Sequence, residues 1–109
     1  GRNFKIINFF SGITRFEFNA LCDENLGAED YINIANVCNH VFIENIPFFN
    51  DENSNQQLRF ITLIDIFYVK KVILTLSLAS NLSNLGSSKV HFKVFKRTLS
   101  RLYEMTKVN

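Results

Sequence analysis

Tryptophan is absent from this chain, and proline, glycine and cysteine are scarce, with one, four and two copies in 109 residues. The glycines are dispersed, so there is no run of free N–H groups followed by Lys and Ser or Thr to cradle a phosphate. "LGSSK", 85–89, has a single glycine and reads as a turn. Cys22 and Cys38 stand among apolar neighbours without CxxC spacing, which argues against a redox or zinc motif and for two reduced, buried, inert thiols. A zinc site would need Cys38 and His40 to be joined by Cys22 and His91 from elsewhere, so no metal is expected. No G-x-S-x-G elbow is present, and neither histidine has an evident acidic partner, so hydrolytic catalysis inside this chain is not expected. The longest apolar run, "VILTLSLA" at 72–79, falls far short of the ~20 residues of a membrane-spanning helix. No secretory signal pattern opens the chain. Its first residue is Gly rather than Met, as expected of an excised or detached piece of a longer protein.

What remains is an apolar share of 47%, enough for one small domain with a real core. Twelve phenylalanines, with many Asn, Ile and Lys, point to a biased genome as much as to a fold. The net charge of +2 conceals an asymmetry. Residues 1–88 carry six basic and nine acidic side chains, whereas 89–109 carry Lys89, Lys93, Lys96, Arg97, Arg101 and Lys107 against Glu104 alone. That cationic end suits phosphate, an acidic partner or an anionic surface, or simply a solvated helix face. Base-stacking aromatics are not interleaved with these cations in a recognisable module, so no specific nucleic acid is expected.

"NFKIINFF" and "TRFEF", joined around Ser11-Gly12, predict an N-terminal β-hairpin. Tyr31, Ile34, Ala35 and Cys38 recur at helical spacing, with Glu29 and Asp30 at the positive end of the helix dipole. "HVFIENIP", 40–47, predicts a strand that Pro47 ends. Ser54 and Gln57 have the spacing of a capping box before a helix over 55–69. Its buried stripe would be Phe60, Ile61, Ile64, Phe67 and Tyr68, widened by Leu58 and Leu63. "KVILTLSLA" predicts a strand buried on both faces, making 40–79 a β-α-β unit with a parallel pair. A last, basic helix over 94–106 would bury Phe95, Leu99 and Leu102, with Tyr103 or Met105 joining them. The expected fold is a small single α/β domain: an N-terminal β-hairpin, a β-α-β parallel unit and a C-terminal basic helix.

Two features stand out chemically. Asp65 interrupts the apolar stripe between Ile64 and Ile66, where an unpaired buried charge would be costly, so it should face water or meet an arginine. Arg59, Arg97 and Arg101 are the candidates. Arg97 and Arg101 lie one helical turn apart, so both can converge on one carboxylate or one phosphate cluster. Glu104, three residues after Arg101, offers a competing exposed ion pair. The carboxylate pairs Asp23-Glu24 and Asp51-Glu52 fall in polar loops, where solvated charge is the ordinary outcome.

"RFEFNALC" (15–22), "LGAEDYINIA" (26–35), "VFIENIPFF" (41–49), "RFITLIDIFY" (59–68) and "FKRTLSRLYEM" (95–105) together resemble the C-terminal segment of the ZapE-type ATPases, bacterial cell-division enzymes with mitochondrial relatives of the ATPase-family-gene-one type. The likeness runs in order through nearly the whole chain, 1–109. Val69 departs from it, standing where the family usually carries an acid. The resemblance implies a full-length P-loop ATPase of the AAA-related class that uses ATP and Mg, with its Walker motifs N-terminal to Gly1. This chain would then be a non-catalytic portion supporting that hydrolysis, with the absent P-loop core and division or client proteins as partners. Its place would be the bacterial cytoplasm or the mitochondrial matrix. In such enzymes a late-helix arginine commonly reaches a γ-phosphate, which makes Arg97 or Arg101, and then Arg59, phosphate-sensing candidates. Pairing of Arg97 or Arg101 with Asp65 is the competing structural role. The alternative function is a free-standing interaction module or split-gene remnant without ATPase activity.

Overall fold

A computed structural model describes residues 12–23, 26–79 and 81–106. Strand β1 (Ile13–Glu17) runs into a short helix α1 (Phe18–Cys22), followed by α2 (Ala28–Val37), β2 (His40–Ile46), α3 (Ser54–Val69), β3 (Ile73–Leu78) and α4 (Phe92–Met105). Single 3-10 turns lie at Asp51–Asn53 and Leu82–Asn84. The three strands form one parallel sheet in the order β1-β2-β3, with Phe16 opposite Ile43 and Val41 opposite Leu74.

Period-two alternation decides what this sheet covers. Thr14, Phe16, Val41, Ile43 and Leu74 are buried on one face, whereas Ile13, Arg15, Glu17, Ile73, Thr75 and Ser77 are exposed on the other. β3 is therefore not the strand buried on both faces that its apolar run predicts. It lies at an edge of the described sheet, and only its Leu74 side is packed. The β-α-β unit over 40–79 is present as expected. Of the predicted hairpin, the arm over 3–10 lies outside the described residues. The other arm is β1, which pairs in parallel with β2 and ends at Glu17 because Phe18 already opens α1.

The core is held by an aromatic cluster that joins four parts of the chain. Phe49, in the loop after Pro47, lies 5.7 Å from Phe18 of α1, 5.5 Å from Phe60 of α3 and 5.3 Å, edge-on, from Phe95 of α4. Such tilted pairs are the favoured ring geometry and contribute about 0.5–1.5 kcal/mol each beyond area burial. Tyr31 ties α2 to α1 by donating its hydroxyl to the Leu21 carbonyl at 2.6 Å. At the start of α2, Asp30 reaches back to accept from the Gly27 N–H at 2.9 Å, satisfying an orphan donor.

Three local features depart from expectation for identifiable reasons. Ser54 does not cap α3: it is the helix's first residue, and the preceding turn is closed by Asn50 and Asn53, whose side chains accept from Glu52 N–H and Asn50 N–H at 2.8 Å each. Gln57 turns inward instead. Its Oε1 accepts from the Ser88 N–H and hydroxyl at 3.0 and 2.7 Å, and its Nε2 donates to the Ser87 hydroxyl at 2.8 Å. The stripe of α3 is Phe60, Ile61, Leu63, Ile64 and Phe67, with Leu58 on the exposed side and Tyr68 at the wet margin. In β2, Asn45 takes φ +60° at an irregularity between Ile43 and Ile46, and its Nδ2 donates to both carboxylate oxygens of Glu17 at 3.0 and 2.8 Å. The bulge lets Glu44 stay on the open face while Ile46 returns to the core.

Candidate functional site

Helices α3 and α4 pack against each other, and their charged margins meet at Asp65. α4 is strongly two-sided: Phe95, Thr98 and Leu102 face the core, and Arg97, Arg101 and Glu104 follow one flank. The four-residue spacing places both guanidinium groups over the same turn of α3. Arg101 Nη1 donates to Asp65 Oδ1, and Arg97 Nη2 lies 3.5 Å from Asp65 Oδ2, so one carboxylate serves both arginines, an oxygen each.

The two arginines are held unequally. The Arg101 side chain is 26% exposed, and its guanidinium lies 4.8 Å from the centre of the Tyr68 ring, so an ion pair and a cation–π contact fix it together. Arg97 is 58% exposed and, among the described residues, has only the longer contact. Glu104 does not neutralise Arg101 in the described contacts. It accepts from the Tyr68 hydroxyl at 3.1 Å and steadies the ring on which Arg101 rests. Tyr68 was the member missed from sequence, where it reads as one more residue of the buried stripe. The signal lay in its hydroxyl at the end of that stripe, since a phenol at a wet margin seeks a polar partner.

Arg59 stands apart from this group. Its Nη1 donates to the Asp23 and Cys22 carbonyls at 2.8 and 3.3 Å, where it meets the carbonyl end of α1. Among the other cations, Lys89 is engaged with Asp51: its N–H donates to Oδ1 at 2.7 Å and Nζ lies 3.9 Å from Oδ2. Lys96 sits 4.8 Å from the Phe92 ring centre. Lys107 lies outside the described residues.

The cysteines are free and buried. Burial pushes the Cys22 thiol up to about 12, partly offset by the neighbouring Tyr31 hydroxyl and Arg59. Burial likewise raises Tyr31 and Cys38. These groups are proton-retaining and poorly nucleophilic, the opposite of an activated thiol. His40 shares a 2.8 Å hydrogen bond with Thr75 across the open sheet face and stacks on Phe42 with ring centres 4.6 Å apart. Among the described residues, no three His, Cys, Asp or Glu side chains form a group suited to a metal, and no helix is long and apolar enough to cross a membrane.

The chemistry available is therefore anion recognition by guanidinium. Carboxylate and phosphate present similar oxygen forks to arginine. Arg97 is the more exposed of the two and has the longer contact to Asp65.

The sequence matches the model of the family described as AFG1-like ATPase over residues 1–109. It is also 39% identical over 72 residues to lactation elevated protein 1 homolog B of Danio rerio, an alignment covering 66% of this chain and 14% of that protein. The chain thus corresponds to a small part of that relative's length. No solved structure matches it. With the family match running from the first residue to the last, the chain belongs to the AFG1-like ATPase family.

Proposed function

We propose that this chain is the accessory C-terminal portion of an AFG1-like P-loop ATPase. It does not hydrolyse ATP itself, but supports hydrolysis by the nucleotide-binding part of the full-length protein. The observation that carries this reading is a family match over every residue in a sequence without a glycine-rich phosphate loop. In this reading, ATP and Mg are bound by the P-loop part of the full-length protein. The contribution of the chain to a triphosphate is Arg97. Arg101 remains on Asp65 and Tyr68 as the fixed hinge of α4, while Arg97 meets the developing negative charge of the transferring phosphoryl group. Cell division or protein quality control, in a bacterial cytoplasm or a mitochondrial matrix, is the setting proposed for the whole enzyme.

Two measurements test this. Calorimetry of the 109-residue chain with MgATP should show no binding, and tight magnesium-dependent binding would overturn the accessory role. In the full-length protein, Arg97→Ala should lower ATP turnover at least tenfold, an arginine on the transferring phosphoryl group being worth about 10³–10⁵-fold in the strongest cases, with little change in melting temperature. Unchanged turnover would remove Arg97 from the nucleotide site.

A second reading, a free-standing interaction module left by a split gene, is favoured by the open sheet face. Parallel sheets are ordinarily covered on both sides, yet Ile13 and Ile73 lie exposed on the face that no described element covers. Self-association of the chain, with no gain in turnover when it is mixed with the P-loop part, would favour this reading.

A further inference from the structure

The charge around Asp65 does not balance. Lys93, Arg97 and Arg101 stand on successive turns of α4, four residues apart, and Lys70 lines a cleft of about 330 Å³ that opens beside Asp65 on α3. Against these four cations the described flank sets Asp65 and Glu104, and Glu104 is turned to the Tyr68 hydroxyl. Among the described residues, neither Lys93 nor Lys70 has a carboxylate partner. Like charges one helical turn apart repel, so the row of Lys93, Arg97 and Arg101 is stabilised by a further anion.

On the reading that Arg97 meets a triphosphate, we infer that Asp65 is a displaceable counter-anion: it holds Arg97 while the site is free of phosphate, and releases Arg97 but not Arg101 when a phosphate group arrives. The two oxygens of Asp65 separate the arginines. Arg101 takes Oδ1 with a side chain 26% exposed and packed on the Tyr68 ring, so its departure would break two contacts. Arg97 has Oδ2 at 3.5 Å with a side chain 58% exposed, and an exposed pair of that length contributes little. Its departure strands no buried charge, because Asp65 is itself 34% exposed and keeps Arg101. A phosphate group is the fitting competitor. It brings about two negative charges and three acceptor oxygens, enough for Arg97 and the Lys93 ammonium together, whereas a second carboxylate brings no more than Asp65 already supplies. An ATPase-family protein has such a group in its substrate.

The test uses the 109-residue chain with isotope-labelled arginine, and inorganic tripolyphosphate without magnesium as the probe. Binding should be weak, about millimolar, and should shift the Arg97 Nε–H resonance far more than that of Arg101. Asp65→Asn removes the competing charge and should tighten binding about fivefold, the upper end for an exposed ion pair. Asp65→Glu, which restores a carboxylate, should return affinity to within about twofold of the wild type. Tripolyphosphate also meets lysines without specificity, so the gain from Asp65→Asn must vanish when Arg97→Ala is added. Tricarballylate, a tricarboxylate, should bind about fivefold more weakly than tripolyphosphate or worse at the same ionic strength. No gain in Asp65→Asn, a gain that survives Arg97→Ala, or equal shifts of both arginines overturns the inference. Equal binding of tricarballylate also overturns it, assigning Arg97 to a carboxylate of the rest of the protein. If Asp65→Asn does not fold, the arginine shifts and the tricarballylate comparison in the wild-type chain decide. Unchanged turnover in full-length Arg97→Ala would instead remove ATP as the source of the phosphate, with the exchange at Asp65 still standing.

Discussion

Arg97 and Arg101 are the same residue type on the same carboxylate, and their environments separate them. Arg101 is packed on Tyr68 as well as paired, so Arg101→Ala should cost about 1–2 kcal/mol after allowing for solvent at the one-third exposed Asp65. For a domain of this size that is a melting-temperature drop of roughly 5–10 °C. Arg97→Ala should cost no more than about 0.5 kcal/mol, as exposed pairs usually do. Thermal melts of the two variants check the ordering, and equal losses would remove the distinction between hinge and sensor. Cys22 gives a pH prediction. Its folded value of about 12 lies above the ordinary 9.0, and Tyr31 is raised too, so the folded state retains protons that the unfolded chain releases. The associated stability is complete below about pH 9 and is lost as pH rises toward 12. Melting temperature measured from pH 8 to 11 should therefore fall, with a shallower slope in Cys22→Ala whatever its starting value. The convergence of Arg97, Arg101 and Asp65 was legible in sequence as one of several pairings. The role of Tyr68 was not, because whether a stripe residue is core or margin depends on where α4 lies against α3.

At the scale of elements, the join between α3 and the loop after β3 rests on Gln57. The sequence pattern assigns this residue to a cap with Ser54, but the structure uses it as a buried acceptor for two Ser88 donors. Gln57→Ala leaves those donors unpaired and should destabilise by about 2–4 kcal/mol, whereas Ser54→Ala should be within about 0.5 kcal/mol. Denaturant unfolding of both variants discriminates, and a larger loss for Ser54→Ala would restore the capping role. The same loop is pinned by Gly86, which takes φ +73° with the Phe49 carbonyl oxygen 2.8 Å from where a Cβ would lie. Capping-box spacing could not reveal this arrangement, because Ser87 and Ser88 approach Gln57 only after some thirty residues of chain have folded back.

Across the described residues, the decisive feature is a parallel sheet with one face packed and the other exposed. Ile13 and Ile73, with Arg15, Glu44 and the His40–Phe42 stack, form a mixed apolar and polar surface on that face. The 109-residue chain should self-associate at high concentration, and the double substitution Ile13→Lys, Ile73→Lys should reduce its weight-average mass in sedimentation with little change in melting temperature. A monodisperse monomer before substitution would contradict this. The sequence by itself determined the family, the β-α-β unit, most of the core-facing residues of α2, α3 and α4, and the buried state of both cysteines, because hydrophobic periodicity and motif order are local properties of the chain. Only the tertiary structure decided that β1 joins β2 in parallel, that β3 is an edge, that Gln57 is a core acceptor and that Arg97 is the freer arginine. Each of these depends on which distant segments become neighbours, and an apolar strand has the same sequence whether its second side meets a helix or lies open.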